Sequence, residues 1–123
     1  MSKRITILTV FVFFTFFMNI AFSEMEYPKD LEKEIAPYPK ANIVQTMKAS
    51  GNTMVIMEVS DKLDTIFEFY KKELSAKGWT ILGEIKQQGN YSLMGEKESK
   101  NVVITINLDD SGKSMVSLTL APK

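Results

Sequence analysis

From residue 41 onward the chain alternates apolar and polar positions almost throughout, a period-two pattern that predicts β-strands, and one segment breaks it with helical spacing. In that segment Leu63, Ile66, Phe67, Tyr70 and Leu74 recur at intervals of three and four, on one stripe of a helical wheel. Ser60 and Asp61 stand where a cap would accept first-turn N–H groups, and Gly78 ends the pattern. Burying five such side chains stabilises by about 1.5–3 kcal/mol each before the entropy of ordering them, so this helix anchors the domain. Phe69 falls outside the stripe, on the flank with Thr65 and Glu73, and is expected to meet the N-terminal segment or a partner.

The alternating segments predict strands at 42–49, 53–59, 79–87, 91–97, 102–109 and 113–121, separated by turn residues such as Ser50-Gly51-Asn52 and Gln88-Gly89-Asn90. The expected fold is α+β: one amphipathic helix on a mainly antiparallel six-stranded sheet, in the order ββαββββ. The last hairpin specifies its own register. With Val102, Ile104, Ile106 and Leu108 inward, and Val116, Leu118 and Leu120 inward on the next strand, Asp110-Ser111-Gly112 becomes a three-residue loop with Gly112 left-handed. The same parity groups Trp79, Ile81 and Ile85 with Tyr91 and Leu93, and Ile43 and Met47 with Val55, Met57 and Val59.

Ahead of this single domain, 41–123, residues 24–40 read as an N-terminal arm in which 30–35 form a helical turn or two before Pro37-Tyr38-Pro39 stops them. The first 23 residues differ in kind. Lys3 and Arg4 precede an apolar run from Ile5 to Phe17, and Ala21-Phe22-Ser23 places small residues where signal peptidase needs them. A signal peptide cleaved after Ser23 is expected, with export to the periplasm or beyond; the rival is an uncleaved membrane tether, because Ile5 to Phe22 is 18 residues long. No Cys follows the apolar run, so lipid anchoring is excluded.

Three further stretches carry a resemblance: Pro37-Tyr38-Pro39-Lys40-Ala41, then Phe69-Tyr70-Lys71-Lys72-Glu73-Leu74, then Gly78-Trp79. Over roughly residues 37–121 the chain resembles a loose group of small exported bacterial domains of unknown function, often lipoproteins, with a proline-tyrosine-proline lead-in and an FYxxxLxxxGW helix end. The resemblance implies a fold and a location and no activity. This chain departs from the lipid-anchored members by lacking Cys.

Composition narrows the chemistry. The 123 residues hold 15 basic and 15 acidic groups, no His and no Cys. Beyond residue 23 every base is Lys, and without Arg there is no bidentate anion clamp and no basic stripe for nucleic acid. Nucleophilic triads and His or Cys metal sites need side chains that are missing, and no disulfide supports the exported chain. Paired carboxylates remain at Asp61 and Asp64, Glu96 and Glu98, and Asp109-Asp110; the helix dipole and turn geometry account for them, and the last pair lacks the spaced ligands of a calcium loop. Copper(I) would need thioethers gathered at one point, whereas Met54 and Met57, three apart on a strand, face opposite ways. No enzyme, cofactor or metal is expected.

Parity sends Val44, Met54, Ile56, Leu82, Met94, Val103 and Met115 to the sheet face away from the helix, which is unusually apolar. Sheet curvature, the N-terminal arm or another molecule must cover it. Together with Phe69 these residues form the expected interaction face of a non-enzymatic envelope module, whose partner is another envelope protein or a second copy. A carrier of an apolar ligand and a membrane-tethered accessory subunit are the alternatives.

Overall fold

In the computed structural model, residues 26–123 are described. The expected signal peptide, residues 1–23, and its cleavage point lie outside them. The elements run α1 (Lys29–Glu34), β1 (Asn42–Ala49), β2 (Asn52–Val59), α2 (Leu63–Ala76), β3 (Thr80–Gln87), β4 (Asn90–Lys97), β5 (Lys100–Leu108) and β6 (Ser114–Pro122). All strand pairs are antiparallel, in the order β1-β2-β6-β5-β4-β3. The first hairpin therefore joins the β3–β6 meander through β2 and β6, and α2 carries the chain from one half of the sheet to its far edge.

The apolar stripe of α2 is a core face, with Ile66, Phe67, Tyr70 and Leu74 fully buried. Its C-terminus closes as the sequence suggests: Gly78 is left-handed at φ +84°, Gly78 N–H donates to the Ser75 carbonyl, and Trp79 N–H to that of Leu74 at 2.9 Å. The N-terminus does not. Lys62 is the cap, whose ammonium has no acceptor to offer the first-turn N–H groups, and Asp61 before it is engaged elsewhere. The Asp61 carboxylate accepts the Tyr38 hydroxyl and its carbonyl accepts Ser114 Oγ at 2.7 Å, so the residue ties the N-terminal segment before β1 and the start of β6 to the helix entry.

Residues 26–40 are more than an arm. Leu31 and Ile35 are fully buried and Tyr38 nearly so. Tyr27 Oη donates to the Ile35 carbonyl at 2.8 Å, Ala36 N–H to Glu73 Oε2 at 2.6 Å and Trp79 Nε1–H to the Glu34 carbonyl at 3.1 Å. The segment thus lies beside α2, and the two helices cover the same side of the sheet.

The final hairpin matches its expected geometry, with Asp109 N–H donating to the Lys113 carbonyl at 2.8 Å and Gly112 at φ +85°. Leu108 is the exception in that strand: it occupies the last pair of the ladder, opposite Ser114, and is 48% exposed. Two β-bulges overturn the parity elsewhere. In β1 the pairing steps from Ile43–Met57 to Gln45–Ile56, leaving Val44 extra; in β3 it steps from Ile81–Gly95 to Gly83–Met94, leaving Leu82 extra. Each added residue turns the rest of its strand over. Met47 and Ile85, expected inward, consequently lie on the far face with 46% and 44% of their surface exposed.

Candidate functional site

The ladder pairings define the face opposite the helices row by row. One row runs Met47, Met54, Thr119, Val103, Met94, Gly83 and crosses all six strands. Beside it runs Gln45, Ile56, Ser117, Thr105, Ser92, Ile85, and beyond that Asn42, Glu58, Met115, Asn107, Asn90, Gln87. On its other side stand Ala49 and Asn52, then Ala121, Asn101, Glu96 and Thr80, polar except for the two alanines. The outer face is therefore a mainly apolar row one residue wide, interrupted by Thr119 and bordered mostly by polar side chains, with Ile56 and Ile85 widening it on one side and Ala49 and Ala121 on the other. The expected apolar face is narrowed to that row and its immediate neighbours.

The structure brings Met54, Met94 and Val103 into this stripe and sets Ile56 next to it. Met115 stands apart between Glu58 and Asn107. Val44 and Leu82 are the two bulge residues, and Leu82 is the most exposed large apolar side chain of the described residues at 58%. Met94 leans across the sheet onto Gly83, where a Cβ would stand 2.9 Å from its methyl group. At the other end, Met47, Ala49, Asn52, Met54 and Thr119 line a dent of about 180 Å³. The ladder charges on this face are Glu58 and Glu96, each held by a lysine: Lys113 at 3.3 Å and Lys123 at 2.7 Å.

Phe69 does not belong to this face. It sits in the helical layer, edge-on to Tyr38 with ring centroids 4.8 Å apart, so it meets the N-terminal segment. Beside it Tyr38, Asp64, Thr65, Glu68 and Lys72 line an open groove of about 560 Å³. Burial, then the bond to Asp61, pushes the Tyr38 hydroxyl up to about 12. Of the two groove carboxylates, Asp64 has structural partners: it accepts Tyr91 Oη at 2.9 Å and pairs with Lys86. In the last loop it is Asp109, rather than Asp110, that accepts local bonds, from Ser111 N–H, Ser111 Oγ and Lys113 N–H, and the Ser111 hydroxyl foremost holds its carboxyl below the usual range. Among the described residues no three His, Cys, Asp or Glu gather to hold a metal ion.

A family comparison matches residues 43–113, from β1 to the loop before β6, to the START domain-like family. The chain belongs to that family. No curated protein matches it. The START domain-like stretch holds Val44, Met54, Ile56, Phe69, Leu82, Met94 and Val103, while Met115 and Thr119, on β6, lie beyond it. The stripe is thus built mainly within the family region and completed by a strand outside the match.

Three outer-face positions are not singled out by the sequence: Met47 and Thr119 in the row, and Ile85 beside it. Gly83 was the available signal for one of them, since glycine inside a strand often marks a bulge, and a bulge there moves Ile85 outward. Nothing in Ile43-Val44-Gln45 announces the other bulge. Thr119 reads as an ordinary outward threonine until the ladder places it between Met54 and Val103.

Proposed function

We propose that this chain is an exported, non-enzymatic interaction module that docks a protein on the outer face of its sheet. The observation that carries the reading is the stripe: Met47 and Val103 remain 46% and 42% exposed although neither helix lies on their side. Apolar side chains aligned in a row, here broken only by Thr119, are what a partner buries, and methionine adapts to the surface it meets. Export rests on the first 23 residues and on the resemblance to small exported domains.

A protein surface fits this face better than a small apolar ligand does. The stripe is an open row whose dent, about 180 Å³, is below the ~300–1,000 Å³ of ordinary ligand pockets. Between sheet and helices, Tyr70, Phe67, Ile66, Leu74, Leu31 and Ile35 occupy the space at 0% exposure. The test is native mass spectrometry of the protein made from its full sequence and recovered from a bacterial envelope fraction. A second polypeptide on the chain, lost when Met94→Glu is introduced, is the expected result. An added small apolar mass lost in the same variant would replace docking with carriage. A bare chain unchanged by Met94→Glu or Leu82→Glu would refute both.

A further inference from the structure

What docks on the face is constrained by its edges, its charge and its size. Both edge strands are bulged, β1 at Val44 and β3 at Leu82. Bulges at an edge twist the free N–H and C=O groups out of line and oppose the addition of another strand. Association through the edges is disfavoured, and the face is left.

That face has little charge to offer. Its ladder charges, Glu58 and Glu96, are neutralised in place by Lys113 and Lys123. A strongly charged partner would find no complement there and would lose hydration on binding. A surface with the same neutral stripe would meet neither repulsion nor an unpaired charge.

The size is also adequate. Six strands of eight or nine residues, at about 4.8 Å between strands and about 3.3 Å per residue, make a face of roughly 24 by 26 Å, or about 600 Å² in projection. Side-chain relief raises the accessible area toward the ~800 Å² that each partner contributes to a standard interface.

Resting on the reading of this face as a docking surface, we infer that its occupant is a second copy of this chain, packed sheet against sheet about a two-fold axis. Such an interface must be complementary to itself. An axis parallel to the strands, between β6 and β5, sets Met54 of one copy over Met94 of the other and Thr119 over Val103. The Met47–Met54 dent of each copy then receives the Val103–Met94 half of the other. Two aligned sheets at about 10 Å form the ordinary β-sandwich core, here assembled from two chains.

Sedimentation of the protein made from its full sequence, from about 1 to about 200 µM, tests this. The mass should double across the series, and Val103→Lys should raise the midpoint at least about tenfold while leaving the melting temperature of the single chain, compared at about 1 µM, within about 2 °C, because Val103 is outward-facing. If Val103→Lys fails to fold, Met54→Lys is read in the same way. A single-chain mass at every concentration, or a dimer whose midpoint neither substitution moves, would overturn the inference. A single-chain mass with a different polypeptide seated on the stripe in the native spectrum refutes self-docking alone. A single-chain mass with a bare spectrum refutes the docking reading as well.

Discussion

Tyr70→Phe is expected to stabilise this protein, against the usual direction for a change at a fully buried aromatic. The Tyr70 side chain is 0% exposed, and its hydroxyl has no hydrogen-bond partner among the described residues. Burial foremost, then Tyr27, Tyr38 and Glu73, pushes that hydroxyl well above the ordinary tyrosine value. A buried polar group without a partner costs about 1–3 kcal/mol. Removing one oxygen keeps the ring and its edge-on contact with Phe69, 5.1 Å between centroids, and leaves a void smaller than a methyl group. The net expectation is a gain of about 1 kcal/mol, a rise of about 4–8 °C in melting temperature for a domain near this size. Tyr27→Phe is the matched control: it deletes the same atom from the same layer but breaks a 2.8 Å bond to the Ile35 carbonyl, so it should cost about 1 kcal/mol. Urea and thermal denaturation of the three proteins, with unchanged urea dependence, measure both. A loss of 0.5 kcal/mol or more in Tyr70→Phe, roughly half a typical hydrogen bond, would show that the hydroxyl is satisfied and the reasoning wrong.

Trp79→Ala should cost about 3–5 kcal/mol by chemical denaturation, since it empties a site 5% exposed and frees the Glu34 carbonyl; a cost below about 1 kcal/mol would place the indole at the periphery. The two strand glycines should differ. Gly95→Val should destabilise by about 1–3 kcal/mol because a Cβ there lies 3.3 Å from the Thr80 carbonyl and 3.4 Å from Val102, whereas at Gly83 the obstacle is the flexible end of Met94, and Gly83→Ala should cost less than about 1 kcal/mol. Acid should weaken the packing of α1. The Lys100 ammonium, bonded at 2.6 Å, holds Glu34 below the usual carboxylate range; burial raises Glu73, but Ala36 N–H and Lys77 outweigh it, so it too is depressed. A depressed carboxyl contributes fully above its unfolded value, 4.5 for both, and its contribution is lost as pH falls through the folded value. Glu34→Gln should therefore flatten the loss of stability below about pH 4.5, measured by denaturation from pH 7 to pH 2.

Much of the fold was legible because local rules act at short range. The stripe from Leu63 to Leu74 needed only helical spacing, and Gly112 needed only the loop length between two alternating strands. What escaped depends on contacts distant in sequence. Asp61 looked like a cap until Tyr38, 23 residues earlier, and Ser114, 53 later, proved to hold it. Leu31 and Ile35 read as a short turn in an arm because their burial comes from α2 and the sheet. On the outer face, simple alternation was right for β2, β4, β5 and β6, which run without bulges, and failed on β1 and β3 past the extra residue. The identity of the neighbours on that face, Thr119 between Met54 and Val103, follows from strand order, which a hydrophobic pattern does not encode.

The docking claim is tested most directly by the methionines of the stripe themselves. A brief pulse of peroxide, read by mass spectrometry, reports the accessibility of Met54 and Met94, with buried Met57 as the internal reference. If the outer face is a docking surface, Met54 and Met94 will oxidise several-fold more slowly in protein taken assembled from the envelope than in the same protein diluted to single chains, while Met57 stays slow in both. Equal rates for Met54 and Met94 in the two samples would contradict the account.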